Sequence, residues 1–103
     1  MATRAKPPAG KSVLVVEDEV EINNFLRDTL KSKGYHVASS HNSDEALALI
    51  RERMFGVILI DINLPGMDGV ELFRQCRLAT PDSVVIMITG NPSYDSAISL
   101  IKE

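Results

Sequence analysis

Three uninterrupted apolar runs punctuate the chain: Val13-Leu14-Val15-Val16, Val57-Ile58-Leu59-Ile60 and Val84 to Ile88. None alternates with polar residues, so each suits a strand buried on both faces, the habit of parallel sheets. Between the runs the apolar period lengthens to that of a helix. From Glu19 to Lys33, the residues Ile22, Phe25, Leu26, Thr29 and Leu30 fall on one helical stripe, and Gly34 is placed to end the helix. Tyr35 to Ala38 reads as a shorter, weaker strand. Ser43 is expected to cap a second helix, with Asp44 and Glu45 favourable in its first turn. Ala46, Leu47, Leu49 and Ile50 form that helix's inward side.

After the second apolar run comes a loop rich in turn formers, from Ile62 to Asp68, with Gly69 before a third helix. Val70, Leu72, Phe73 and Cys76 are its apolar positions, and Thr80-Pro81-Asp82 breaks it. Beyond the third run, Asn91 and Pro92 mark the start of a fourth helix with Tyr94, Ala97, Ile98 and Ile101 inward. Strand and helix thus alternate four times with short connections. Such alternation predicts an α/β fold: right-handed crossovers and a parallel sheet covered on both sides.

The 103 residues suffice for one domain, read as residues 13–103 behind a flexible N-terminal tail, 1–12. A formal net charge of -3 supplies no basic field for a nucleic-acid backbone. No apolar run approaches the ~20 residues of a membrane span. The single cysteine, Cys76, cannot form an internal disulfide and fits a reducing compartment, so a cytoplasmic location is expected. Its apolar neighbours make it a buried structural thiol, and His36 and His41 read as surface or edge residues.

Polar groups terminate the three strong strands: Glu17-Asp18, Asp61 and Thr89. In an open parallel sheet, ligands bind outside the carboxyl ends of the strands. Residues distant in sequence would therefore meet there. Three carboxylates in one cleft repel one another, and a hard divalent cation relieves that repulsion. Mg²⁺ (with Mn²⁺ as a substitute) accepts a few carboxylate oxygens and still has positions for water and a phosphoryl oxygen. Asp61 could then offer an oxygen to a phosphoryl group, with the Thr89 hydroxyl beside it. Taken singly, each acid also has the plainer reading of a helix N-cap, and Thr89 that of a loop hydroxyl.

The segments VLVVEDE, VILIDINLPGMDGVEL and VVIMITG, in this order, closely resemble the receiver domain family of two-component response regulators. The resemblance runs from about Lys11 to the last residue. It implies a flavodoxin-like (CheY-like) doubly wound sheet of strand order 2-1-3-4-5, and a sensor histidine kinase or phosphotransfer protein as phosphoryl donor. By match of motif, Asp61 is the phosphoacceptor, Glu17 and Asp18 are metal-holding acids, and Asn63 adds its backbone carbonyl to the metal. Thr89 is the switch hydroxyl, Pro65 and Gly69 shape the loop beside the site, and Asn63 and Asn91 stand where phosphoryl lifetime is tuned. A receiver domain is a regulatory phosphoacceptor rather than an enzyme.

One departure accompanies the match. The family continues through a fifth strand, with an aromatic switch residue and a lysine, and a fifth helix; this sequence ends at Glu103. The reading is a C-terminally truncated receiver with four β/α units, and Lys102 is not a substitute for the lysine. Val84 to Ile88 then becomes an exposed apolar edge, which favours a homo-oligomer. Rival chemistries fit less well. A haloacid dehalogenase-like hydrolase would want Asp, not Asn63, two positions after Asp61. A flavin module would need a phosphate-cradling loop where Glu17-Asp18-Glu19 stands, and no G-x-G-x-x-G is present for a dinucleotide. A receiver-like interaction or dimerisation module that works without phosphorylation is the remaining alternative.

Overall fold

The computed structural model describes residues 11–62, Leu64 and 69–88. The element order is β1 (Ser12–Val16), α1 (Val20–Ser32), β2 (His36–Ser40), α2 (Ser43–Glu52), β3 (Val57–Asp61), α3 (Gly69–Ala79) and β4 (Val84–Ile88). The four strands form one parallel sheet in the order β2-β1-β3-β4, as the alternation predicts. The fourth helix expected after Asn91 lies outside the described residues, as does nearly all of the stretch read as a tail. β1 begins at Ser12, which is itself buried.

The sheet's two faces differ. Leu14, Val16, Ile58 and Ile60 point to one side, where they pack with Ala46, Leu47 and Ile50 of α2, Leu72 and Cys76 of α3, and the loop residues Phe55 and Leu64. Burying each large side chain there contributes about 1.5–3 kcal/mol. Val13 and Val15 face the other side and are equally buried, under α1, which packs on β1 and β2. In register with them across β3 stand Val84 and Ile86 of β4, and these remain 58% and 44% exposed. The apolar edge expected at Val84 to Ile88 is therefore present among the described residues.

That half-covered face corrects the reading of α1. Ile22 and Phe25, expected inward, are 40% and 67% exposed, and the one buried residue of the helix is Asn23. α1 packs over β1 and β2 only, so the layer it rests on does not cover the whole of its apolar stripe. A second correction concerns α2. Its N-cap is Asn42, whose Oδ1 accepts from the Glu45 N–H at 2.9 Å, while Ser43 is the first helical residue. The Glu45 carboxylate reaches back to the His41 N–H at 2.8 Å, so the two ends of this turn bond reciprocally. β2 also runs two residues further than expected, to Ser40.

Gly34 ends α1 as foreseen. It adopts φ of 94°, its N–H donates to the Lys31 carbonyl, and the Tyr35 N–H reaches the Leu30 carbonyl. This closes the orphan carbonyls of the last turn, in a conformation that a side chain would strain. Cys76 is fully buried, and desolvation pushes its thiol up to about 11, consistent with a packing role. His36 and His41 are exposed.

Candidate functional site

Parallel register creates the site. Val16 pairs with Ile60, so Glu17, just past β1, and Asp61, the last residue of β3, stand side by side at the rim of the sheet. Glu17 is 4% exposed, Asp61 is 9% exposed and Asp18 stands at the surface. One carboxylate oxygen from each of the three lies within 4.8 Å of the others. The acids that the sequence places on separate strands are thus brought together. Asn63 and Thr89 lie outside the described residues; Thr89 follows Ile88, the β4 partner of Asp61.

The electrostatics record the crowding. Burial raises the Glu17 carboxyl from 4.5 to about 7, helped by its hydrogen bond and like-charge repulsion with Asp61 and by Asp18. A bond from the Glu19 N–H to Glu17 Oε2, 3.1 Å long, opposes the rise without cancelling it. A group held this way exchanges its proton for a cation readily. The donor set is hard oxygen with one member open to solvent, which fits Mg²⁺ better than a soft metal.

The ends of β3 and α3 are drawn together beside the site. The Ile62 N–H donates to the Ile88 carbonyl at 2.9 Å, and the Gly69 N–H donates to the Ile62 carbonyl at 3.1 Å. A Cβ on Gly69 would lie 2.5 Å from Ile62 Cα and 2.8 Å from the Asp61 carbonyl oxygen. Glycine is required here by close backbone approach, and the role expected of Gly69 in shaping the loop has this physical basis.

Sequence reasoning missed Asn23. It is fully buried, and its Nδ2 donates at 3.0 Å to both the Glu17 and the Ser40 carbonyl oxygens. Its neighbours Glu21, Asn24 and Asp28 are polar, so nothing in the local pattern distinguishes it from a solvated helix face.

A parallel sheet with helical crossovers and an acidic triad at its carboxyl rim defines an α/β module with a candidate divalent-cation site. The response regulator receiver domain family matches residues 13–103, and the chain belongs to that family. The response regulator receiver protein CpdR of Brucella abortus is 36% identical over 92 residues, 84% of this chain and 77% of that protein. The C4-dicarboxylate transport transcriptional regulatory protein DctD of Rhizobium meliloti is 33% identical over 95 residues, 92% of this chain. The chain spans 21% of that regulator's length. Among solved structures, the beryllofluoride-activated NtrC4 receiver domain dimer is 42% identical with a TM-score of 0.84, over 89% of this chain and 76% of that one. A CheY-like receiver domain protein from Methanospirillum hungatei is 31% identical with a TM-score of 0.83, over 88% and 73%. The flavodoxin-like fold and the receiver class read from the sequence both stand.

Proposed function

We propose that Asp61 is the phosphoacceptor and that Glu17, Asp18 and Asp61 hold Mg²⁺ beside it. The observation that carries this reading is the meeting of three carboxylate oxygens within 4.8 Å at the carboxyl rim of the sheet. Bound there, Mg²⁺ supplies positive charge to offset that of the incoming phosphoryl oxygens. Asp61 offers a carboxylate oxygen to phosphorus; the new O–P bond forms as the donor's bond to phosphorus breaks, and the donor leaves with the electron pair. An acyl phosphate results on a side chain that is 9% exposed. Asn63, through its carbonyl, and Thr89, through its hydroxyl, complete the set by resemblance to the family.

The phosphoryl donor is a sensor histidine kinase or a phosphotransfer protein, as for receiver domains generally. Self-association through the uncovered β4 face is part of the same reading, supported by the exposure of Val84 and Ile86 and by a dimeric receiver relative. The test is intact mass after incubation with acetyl phosphate and Mg²⁺. Wild type is expected to gain one phosphoryl group, and Asp61→Asn or metal-free protein none. Equal labelling of Asp61→Asn would remove Asp61 from the role; no labelling of wild type under any divalent cation would favour a module that works without phosphorylation.

A further inference from the structure

The amide of Asn23 has no part in the chemistry proposed for the site, yet both of its N–H bonds are spent on the site's frame. Nδ2 donates to the Glu17 carbonyl and to the Ser40 carbonyl, each at 3.0 Å. Oδ1 is buried and receives nothing from the described residues. The orientation of the amide is thereby fixed: turned over, its oxygen would face two carbonyl oxygens.

The Glu17 carbonyl lies one residue beyond the last β1 position paired with β2 or β3. Among the described residues it has no paired position in the sheet, although Glu17 is buried. Here the chain must leave the strand and enter α1 while keeping an acidic side chain turned toward Asp61. Like-charge repulsion favours the opposite, an outward swing of Glu17. Two backbone bonds resist that swing, from the Glu17 N–H to the Ser40 carbonyl at 3.1 Å and from the Asn23 N–H to the Glu19 carbonyl at 2.9 Å. The Asn23 side chain adds the tie between them, since it joins α1 to the ends of β1 and β2 at one point.

We propose that Asn23 is a positioning residue for the metal site, clamping the end of β1 so that the Glu17 carboxyl stays beside Asp61. The inference rests on the reading of the triad as a Mg²⁺ site. Outer groups that hold metal ligands in place are typically worth about 10–100-fold in metal affinity. Asn23→Leu keeps the branched shape and number of heavy atoms, at a somewhat larger volume, and removes both donors.

Mg²⁺ affinity, measured by calorimetry on the folded chain, is expected to fall about tenfold in Asn23→Leu. Labelling by acetyl phosphate should slow at low Mg²⁺ and recover to the wild-type rate at saturating Mg²⁺, because Asp61 itself is untouched. A role in packing alone would lower the melting temperature and leave the Mg²⁺ affinity of the folded protein unchanged, and that result would overturn the proposal. A second measurement needs no variant. During Mg²⁺ titration of the wild type followed by NMR, the Asn23 side-chain NH₂ signals should shift with the same midpoint as the Glu17 backbone amide. If they stay still through saturation, Asn23 is not coupled to the metal. Wild type that takes up no Mg²⁺ at all would instead overturn the reading of the triad, and this proposal with it.

Discussion

The carboxyls of Glu17 and Asp61 meet at the rim of the sheet with oxygens within 4.8 Å, one just past the end of β1 and the other from the last residue of β3. Burial and this like-charged neighbour hold the Glu17 proton up to about 7. Proton and metal therefore compete for one place, and apparent Mg²⁺ affinity should rise as pH climbs from about 6 to about 8. Titration calorimetry across that range checks it. Affinity independent of pH would mean that Glu17 is not a ligand.

Stability without metal should run the other way. The Glu17 pKa is higher in the folded chain than its ordinary 4.5, so the folded state binds the extra proton between 4.5 and about 7. Its favourable contribution is complete below 4.5 and is lost as pH rises through about 7. The thermal midpoint of the metal-free chain should fall over that window, and Mg²⁺ should restore more of it at about pH 8 than at about pH 5.

Glu17→Gln separates the two effects. Removing one of the crowded charges is expected to stabilise the metal-free protein at about pH 8 by about 1–3 kcal/mol, since the carboxyl is raised from 4.5 to about 7 and each unit is worth about 1.4 kcal/mol. The same change should weaken Mg²⁺ binding. Denaturant titration with and without Mg²⁺ reads both, and a variant that loses stability while keeping Mg²⁺ affinity would contradict the strain described here.

Gly69→Ala places a methyl group against Ile62 Cα and the Asp61 carbonyl oxygen, both backbone atoms that cannot rotate away. A cost of about 1–3 kcal/mol is expected from such overpacking, with slower labelling of Asp61 because the segment that must shift carries it. Urea unfolding and labelling rate, measured on the same sample, test the pairing of the two losses.

Ile86→Lys adds a charge to an exposed position on the uncovered face. It should reduce self-association, seen by sedimentation at micromolar concentration, with little change in the folded signal. Charged side chains on a strand edge are a common device against edge pairing.

Much of this architecture was legible because uninterrupted apolar runs have few alternatives. Val13 to Val16, Val57 to Ile60 and Val84 to Ile88 each lie inside an observed strand. The meeting of Glu17, Asp18 and Asp61 was legible for the same reason, since parallel register carries any residue just past a strand to a common rim. What misled was one-dimensional periodicity. Ile22 and Phe25 satisfy the helical stripe, but which part of a stripe is covered depends on how far the neighbouring layer extends. Ser43 and Asn42 are both good caps, and only backbone geometry chooses between them. Asn23 was hidden because a buried amide and a solvated one have the same letter.

β1 has partners on both sides and is buried along its whole length, whereas β4 has a described partner on one side and two side chains open to water. Protection of backbone amides against deuterium should therefore grade across the sheet. Exchange would begin in β4 through local openings, and the amides of Leu14 to Val16 would be lost only when the whole molecule comes apart.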